Sequence, residues 1–374
     1  MRFLLAAGGT AGHINPALSI ASIIENNISD ASISFIGRKD SLEDRLISEA
    51  GYSISYLDVQ GLRRSLSLGN IKTALMTLGA VRKAKKILKR LRPDAVIGTG
   101  GFVCYPVIRA AQKLGIPTAL HESNAVPGLA VKMLARRANA VMLNFEEGAR
   151  YLKRKDNIFI TGNPLRCGFL APNREIARRE LGISGDDLFI LSFGGSLGAL
   201  RVNEACIGTM KKLTAHNGYC HLHACGERNF AECQRLFSDL KIGDRGIIVP
   251  YIENMSKYMS AADIVICRAG AMTLSELAQM GKCAILIPSP NVTNDHQRKN
   301  AMALSERGAA VLLDESELSC DALTELISSL AKDRERRGKI EKNVREFAKK
   351  NSQREIFSVI LSLVKSNCSK NKAK

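Results

Sequence analysis

Short, continuous apolar runs recur along the whole chain, and segments with the periodicity of amphipathic helices separate them. Continuous runs of this kind are typical of strands that are buried on both faces of a parallel sheet. Because strands and helices alternate in both halves, the pattern predicts an α/β fold with a doubly wound parallel sheet in each half. The predicted strands include 32–37, 95–98, 118–121 and 140–143, then 219–224, 246–249, 264–267 and 284–287.

The two halves of the chain begin with similar segments. Residues 3–12 read FLLAAGGTAG and residues 189–198 read FILSFGGSLG, so each is an apolar run, a glycine turn and the start of a helical pattern. In the first copy, Asn15 and Pro16 are predicted to be the N-cap and the first residue of the helix. The repetition predicts two domains of the same kind.

The length of 374 residues and the hydrophobic content of 45% suffice for two ordinary cores. A turn sequence, GNP at 162–164, predicts the boundary between a first domain of residues 1–163 and a second of residues 164–350. Beyond residue 332 the sequence is first charged and then amphipathic, which predicts two terminal helices.

The charge is strongly positive and unevenly distributed. The formal net charge is +18, and residues 61–140 contain fifteen Lys or Arg but only two acids. Such a local basic field favours an anionic partner, although a solvated surface remains the alternative. Nucleic acid is disfavoured because no RNA- or DNA-binding motif occurs and aromatic residues make up only 5% of the chain. No apolar segment is long enough for a signal sequence or a membrane span, so membrane contact is expected to be peripheral.

Ten cysteines occur without any C-x-x-C pair, which indicates a reducing compartment such as the cytoplasm. A cluster at Cys220, His221, His223 and Cys225 could suggest a metal site. However, the cluster lies in one predicted strand, whose alternate side chains face opposite ways, and no second pair of ligands follows. A metal site is therefore the less favoured interpretation.

Three glycine-rich turns follow predicted strands, at 8–12, 98–101 and 194–198. None fits the dinucleotide-binding pattern G-x-G-x-x-G or the P-loop pattern. Glycine between a strand and a helix still permits a phosphate group to approach backbone N–H groups and the positive end of a helix dipole. Any single one of these loops could be only a tight turn. Since ligands of open parallel sheets bind at the carboxyl ends of the strands, the three together favour a cleft between two facing domains that handles one diphosphate on each side.

Several segments around these turns are distinctive and run through nearly the whole chain. They are GGTAGHINP (8–16), GTGGFVCYP (98–106), HESN (121–124), GNPLR (162–166), GGSLGALRVN (194–203), CRAGAMTLSE (267–276) and DHQRKNA (295–301). Together, and in this order, they resemble the MurG family of peptidoglycan N-acetylglucosaminyltransferases.

The resemblance implies a GT-B architecture, with two Rossmann-like domains that face an inter-domain cleft. The first domain, with a returning C-terminal helix at about residues 351–374, would bind the acceptor, and the second would bind UDP-GlcNAc. The implied reaction is an inverting transfer of GlcNAc to the 4-hydroxyl of the muramyl-peptide of lipid I, which gives lipid II for peptidoglycan synthesis. No cofactor or metal is expected, because no Asp-x-Asp motif occurs.

The resemblance also implies roles for individual residues. For the donor, the motif match places Ser196 and Arg166 near the diphosphate, Ile252 at the uracil, Ala271, Met272 and Thr273 along the pocket, Glu276 on the ribose, and His296 and Gln297 at the GlcNAc. In the first domain, Gly12 is expected near the donor. The acceptor side is expected to include His13, Asn124, Gly100 and Gly101. Thr10 is expected in both places.

The residues themselves leave alternatives open. His13 is the leading candidate for the general base because its ordinary pKa is near neutrality, but it could equally support the loop. Glu276 could close a capping box with Thr273 instead of binding ribose. Asn124 could be a turn residue, and Arg166 could pair with a surface acid.

A basic amphipathic segment suggests how the protein would meet its lipid-linked acceptor. Ile71, Leu75, Leu78 and Val81 recur at helical spacing and precede a run of Lys and Arg at 82–92. Such a segment can adsorb on anionic lipid, although a packed helix with a solvated basic end has the same pattern. We expect peripheral docking on the cytoplasmic face of the cell membrane.

Other enzymes of the same architecture are the alternative function: a glycolipid glycosyltransferase, or a UDP-GlcNAc 2-epimerase, which needs no acceptor. A nucleotide- or nucleic-acid-binding module without catalysis is a further alternative, disfavoured for the reasons given above.

Overall fold

The computed structural model describes residues 1–60, 68–170, 172–195, 198–216, 218–292 and 295–372, and their side chains except at 68–75, 167 and 366–372. The chain forms two compact units. The first comprises Met1–Leu165 and the C-terminal segment that begins at Asn351, and the second comprises Arg166–Lys350. The division falls two residues after the boundary expected from the GNP turn.

The first unit is built on a seven-stranded sheet in which every neighbouring pair is parallel. The strand order is β3-β2-β1-β4-β5-β6-β7, so β1 lies beside β4 at the centre. The strands are β1 (Arg2–Ala7), β2 (Ser32–Gly37), β3 (Ser53–Tyr56), β4 (Ala95–Gly100), β5 (Thr118–Glu122), β6 (Ala140–Leu143) and β7 (Ile158–Ile160).

Helices cover both faces of this sheet, which is why its central strands are continuously apolar rather than alternating. Phe3 and Leu5 of β1 pack on one face with α1 and α14, while Leu4 packs on the other with α3, α4 and α5. The helices of the first unit are α1 (Ala11–Asn27), α2 (Leu42–Glu49), α3 (Leu68–Leu91), α4 (Gly101–Lys113), α5 (Leu129–Leu134) and α14 (Ser352–Lys372).

The C-terminal helix α14 completes the core of the first unit. Ile356, Ile360 and Val364 recur at intervals of four residues, so they share one helix face, and all three are buried in the cluster that contains α1. At the start of the helix, the Gln353 side-chain amide donates a hydrogen bond to the Leu165 carbonyl over 2.7 Å.

The second unit repeats the plan of the first with six parallel strands in the order β10-β9-β8-β11-β12-β13. Its strands are β8 (Leu188–Phe193), β9 (Tyr219–Ala224), β10 (Gly246–Val249), β11 (Ile264–Cys267), β12 (Cys283–Leu286) and β13 (Val311–Leu312). Its helices are α6 (Arg174–Glu180), α7 (Leu200–Leu213), α8 (Phe230–Asp239), α9 (Met255–Ala261), α10 (Ala271–Met280), α11 (His296–Ser305), α12 (Cys320–Lys332) and α13 (Arg334–Arg345).

The repeated segments are the first strands of the two sheets. β1 and β8 occupy the same central place in their strand orders, and each ends in a glycine turn that leads to a helix. The prediction of two doubly wound parallel sheets is therefore confirmed. Short 3₁₀ helices at Ala135–Arg137, Glu146–Tyr151, Cys167–Phe169 and Glu227–Asn229 complete the described secondary structure.

The predicted start of α1 was wrong. Thr10, in an extended conformation, is the N-cap, and its carbonyl accepts from the amides of His13 and Ile14. Pro16 is the sixth residue of the helix, where its missing N–H affects only one intrahelical bond, to the Gly12 carbonyl. The helix begins earlier because the chain already has helical hydrogen bonds directly after the glycine turn that follows β1.

The predicted apolar stripe on α3 does not face a single surface. Val81 is buried in the core of the first unit, whereas Leu78 is 56% exposed. The side chains of Ile71 and Leu75 lie outside the described residues. Within the described part of the chain, no helix is both long and apolar enough to span a bilayer.

The junction between β4 and α4 requires a glycine at position 101. Gly101 has φ +79°, and a Cβ there would lie 1.9 Å from the Gly8 carbonyl oxygen. We expect Gly101→Ala to prevent the first unit from folding or to destabilise it by several kcal/mol, because the clash involves backbone on both sides. Differential scanning calorimetry would measure the effect.

Gly115, just beyond the end of α4, provides the control. Its φ is +71°, but nothing lies within 4 Å of an added Cβ. Gly115→Ala should therefore cost only the conformational penalty of about 1–2 kcal/mol. Equal losses in the two variants would contradict a steric role for Gly101.

Candidate active site

The candidate sites lie at the carboxyl ends of the parallel strands in each unit. In each sheet the strand order reverses at the centre, between β1 and β4 and between β8 and β11. Such a switch point leaves a crevice at the carboxyl ends of the strands, because the connections leave toward opposite faces. The glycine turns at 8–12 and 98–101 lie at the first switch point, and the turn that starts at Gly194 lies at the second.

A buried carboxylate supports the first glycine turn. The Gly9 amide donates to Glu43 Oε2 over 3.2 Å, and Glu43 is completely buried. A carboxylate near the start of α1 interacts favourably with the helix dipole. The sequence did not single out Glu43, because its partner is a backbone amide 34 residues away.

His13 is held between the two glycine turns of the first unit. Its Nδ1 lies 3.1 Å from the Thr99 carbonyl oxygen, and Thr99 Oγ1 donates to the His13 carbonyl over 2.7 Å. A carbonyl can only accept, so Nδ1 carries the proton and Nε2 is the basic nitrogen of the neutral ring. The ring is only partly buried, and a Cβ at Gly100 would come within 2.6 Å of Nδ1.

The structure thus brings together five of the predicted residues of the first unit. Thr10, the N-cap of α1, and Gly12, the second residue of that helix, are both exposed, and His13 is the next residue. Gly100 and Gly101 join β4 to α4 beside the His13 ring.

Asn124 follows the next strand, and a second buried carboxylate orients it. Glu122, which is 3% exposed, accepts from the Asn124 amide at 3.0 Å and from Asn124 Nδ2 at 2.9 Å, both through Oε1. Its Oε2 accepts from the Gly128 amide at 2.8 Å. Because Nδ2 points back to Glu122, Oδ1 is the end of the Asn124 side chain that is directed away from that carboxylate. The sequence flagged the HESN segment but not the role of Glu122.

The second unit presents a partly buried acid beside an exposed arginine. Glu276 Oε1 lies 3.8 Å from Arg166 Nη2, and the side chains are 12% and 62% exposed. Desolvation raises the pKa of Glu276 to about 7, and the Arg166 guanidinium opposes this shift. The Glu276 carboxyl can therefore change its charge near neutral pH.

The capping-box interpretation of Glu276 was wrong. Helix α10 begins at Ala271, and its N-cap is Gly270, which has no side chain to form a capping box. Thr273 is therefore the third residue of the helix and Glu276 the sixth, too far along to reach the N-cap amide. Ala271, Met272 and Thr273 form the first helical turn after β11. The helix starts two residues before the predicted N-cap Thr273, because only Arg268, Ala269 and Gly270 separate it from β11.

The remaining donor residues follow neighbouring strands of the second sheet. Ile252, which is 5% exposed, follows β10. His296 is the partly buried first residue of α11, and Gln297 Oε1 accepts from the Ser289 amide at 2.9 Å. Gln297 thus supports the loop after β12 through its oxygen. Ser196 lies outside the described residues.

The cysteine and histidine cluster of β9 points to two sides of the strand. His221 and His223 both contact Ser192 Oγ, at 2.7 Å each, whereas Cys220 contacts Asp187. In the described ranges, no group of three His, Cys, Asp or Glu residues has an arrangement suited to a metal ion.

Comparison with known proteins places both units in one family. The N-terminal domain model of glycosyltransferase family 28 matches residues 3–143, and its C-terminal domain model matches residues 189–356. The UDP-N-acetylglucosamine–N-acetylmuramyl-(pentapeptide) pyrophosphoryl-undecaprenol N-acetylglucosamine transferase of Acetivibrio thermocellus is 39% identical over 98% of this chain and 99% of the relative. The transferase of the same name from Ruminiclostridium cellulolyticum is 40% identical over 97% of this chain and 100% of the relative.

Solved structures give the same picture of the fold. Acinetobacter baumannii MurG superposes with a TM-score of 0.77 at 31% identity, over 96% of this chain and 99% of that one. A UDP-GlcNAc 2-epimerase from Neisseria meningitidis, bound to UDP-GlcNAc, gives a TM-score of 0.64 at 14% identity, over 97% of this chain and 100% of that one. The epimerase likeness shows the shared fold alone.

Acid should destabilise the protein through its buried histidines. Burial lowers the pKa of His121 to about 4, below an ordinary value near 6.5, so between these values the unfolded chain binds a proton that the folded chain does not. The free energy of unfolding therefore rises with pH across this window. We expect the difference in stability between wild type and His121→Gln to shift by about 1.4 kcal/mol per pH unit below pH 6, with wild type losing more in acid.

Urea titrations from pH 7 to pH 5 would measure this shift. His216→Gln is the control, because His216 is exposed. A His121→Gln difference that stays constant across the range would contradict the argument.

Proposed function

This chain belongs to the MurG family of glycosyltransferases, and we propose that it transfers N-acetylglucosamine from UDP-GlcNAc to the 4-hydroxyl of the muramyl-peptide of lipid I. The product is lipid II, the precursor of peptidoglycan. The observation that carries the proposal is the 39% identity to a transferase of that name over 98% of this chain, since it includes both units.

The proposed reaction inverts the anomeric centre and needs a base for the acceptor hydroxyl. His13 fits this role because the Thr99 carbonyl fixes its tautomer, so that Nε2 carries the lone pair. In the reaction, the acceptor oxygen attacks the anomeric carbon of GlcNAc, its proton passes to Nε2, and the bond to the UDP oxygen breaks.

The departing UDP carries the developing negative charge, and the second unit offers groups that stabilise it. The N-terminus of α7, which follows the glycine turn after β8, offers backbone N–H groups, and Arg166 adds a guanidinium. Glu276 accepts from the ribose hydroxyls of the donor. It does so best when ionised, and the nearby Arg166 favours the ionised form.

The acceptor binds the first unit in this proposal. Asn124 is suited to hydrogen-bonding a sugar or peptide group, because Glu122 fixes the orientation of its amide. Gly100 packs directly on the His13 ring, so an acceptor that reaches His13 would also meet the backbone of Gly100 and Gly101.

Assays with purified protein, UDP-GlcNAc and a short-chain lipid I analogue would test the function. We expect UDP and the disaccharide product by mass spectrometry, and only when acceptor is present.

Glu276→Gln should weaken UDP binding about tenfold, because a charge-assisted bond becomes a neutral one, while acceptor binding is unchanged. Isothermal titration with UDP would measure the change.

Conversion of UDP-GlcNAc to its 2-epimer without acceptor would instead favour an epimerase, which shares the fold. Unchanged UDP affinity in Glu276→Gln would contradict the ribose role.

Peripheral docking on the cytoplasmic face of the membrane is the second part of the proposal. Helices α3 and α5 both pack against α4 on one side of the first sheet. Their exposed apolar residues include Leu78 on α3 and Leu129 and Met133 on α5, at 56%, 56% and 57% exposure. Exposed cations accompany them on the same helices: Arg82, Lys83, Lys86, Lys89, Arg90 and Lys132. Apolar anchors among cations suit an anionic lipid surface.

Vesicle sedimentation would test the docking proposal. We expect binding to vesicles with anionic lipid, weaker binding at high salt, and a several-fold loss in the double variant Leu129→Ser, Met133→Ser, because each serine removes exposed apolar area that would be buried in the lipid. Ile247→Ser is the control, since Ile247 is 50% exposed in the second unit. Equal binding to neutral vesicles would contradict the electrostatic part, and equal losses in both variants would contradict the assigned surface.

A further inference from the structure

A chain of buried polar side chains links β8, β9 and α7 of the second unit. Ser192 Oγ lies 2.7 Å from His221 Nε2 and 2.7 Å from His223 Nδ1. His223 Nε2 lies 3.0 Å from Asn203 Oδ1, and Asn203 Nδ2 donates to the Cys225 carbonyl over 3.0 Å. All four of these side chains are at most 1% exposed.

The last link determines the direction of every hydrogen bond in the chain. The Cys225 carbonyl can only accept, so the Asn203 amide nitrogen faces it and Asn203 Oδ1 must accept from His223 Nε2. A neutral His223 then has its lone pair on Nδ1, which accepts the Ser192 hydroxyl proton. Ser192 Oγ in turn accepts from His221 Nε2.

Both histidines are neutral under ordinary conditions. Burial lowers the pKa of His221 to about 3 and that of His223 to about 4. The chain therefore keeps one order of donors and acceptors, and no charged group takes part in it. An ordered buried network of this kind fixes the elements that it joins.

The elements that it joins lie next to Gly195 and Gly198, the described residues at the end of the glycine turn. Ser192 lies near the end of β8, His221 and His223 lie on β9, and Asn203 is in the first turn of α7. Gly198 packs directly on the Cys225 carbonyl, because a Cβ at Gly198 would lie only 2.1 Å from the Cys225 carbonyl oxygen. Gly198 has φ +73°, and its amide donates to the Gly195 carbonyl over 2.9 Å. Asn203 thus holds the carbonyl against which the end of the turn packs.

We propose that Asn203, ordered by His223 and Ser192, is a positioning residue for the diphosphate of the sugar-nucleotide donor. It fixes the start of α7 and the end of the glycine turn against β9. The backbone N–H groups of a helix start bind phosphate only when they converge on it, so a small displacement weakens donor binding. The inference rests on the proposed binding of UDP-GlcNAc by the second unit.

Asn203→Ala in the full-length enzyme is the primary test. We expect the KM for UDP-GlcNAc and the Kd for UDP to rise about tenfold or more, since the substitution leaves the buried Cys225 carbonyl without its partner. The KM for the lipid I analogue and kcat at saturating donor should change less than twofold.

Thr209→Ala is the matched control. Thr209 is also on α7, is completely buried, and donates to the carbonyl of Cys320 over 3.2 Å, away from the turn. It should lower the melting temperature without altering donor affinity. A purely structural role for Asn203 would give the same pattern as Thr209→Ala, and that result would overturn the proposal.

Ser192→Ala and Ser192→Thr give a second test if Asn203→Ala does not fold. The alanine variant removes the hydroxyl that joins the two histidines and should raise the Kd for UDP, whereas threonine retains the hydroxyl and should restore it. Equal UDP affinity in the two variants would count against the network.

Glu276→Gln separates this inference from the proposed function. If Glu276→Gln weakens UDP binding but the Asn203 and Ser192 substitutions do not, the donor site is correct and the positioning role is wrong. If none of them alters UDP binding, the assignment of the donor site itself fails.

Discussion

The close approach of backbone to backbone at the carboxyl edge of each sheet is the constraint on which the rest of this structure depends. At the first switch point, Gly101 packs against the Gly8 carbonyl so closely that no side chain fits, and in the second unit Gly198 packs equally closely on the Cys225 carbonyl, which follows β9. These contacts bring two strand ends and a helix start together. They also expose the backbone N–H groups that an anionic ligand needs.

Buried polar side chains stabilise the loops that follow the strands at these carboxyl edges. Glu43 holds the turn after β1, Glu122 holds the loop after β5, and the chain from His221 to Asn203 holds the end of β9. In each case a completely or nearly completely buried side chain bonds to the backbone of a loop that follows a strand. Because an unsatisfied buried polar group is costly, such networks specify one loop geometry more strongly than apolar packing does.

The chemistry depends on the few residues that project from this framework. The same fold occurs in a UDP-GlcNAc 2-epimerase at 14% identity, so the arrangement of strands and helices does not by itself select a transferase. His13 with its fixed tautomer and Asn124 with its oriented amide are the groups that, in the proposed reaction, would serve the acceptor that an epimerase lacks.

The sequence by itself determined the class of fold, the two-part repeat and the segments that carry the candidate site. Continuous apolar runs, glycine turns and family motifs are local features, and they depend on neighbouring residues alone. Tertiary structure decided the start of α1, the absence of a capping box at Glu276 and the separate surroundings of Leu78 and Val81. It also decided the partners of Glu43, Glu122 and Asn203, which lie across the fold or on backbone atoms that have no sequence signal. Contacts between distant segments, and the burial that shifts the pKa values of Glu276 and the histidines, arise only when the chain is packed.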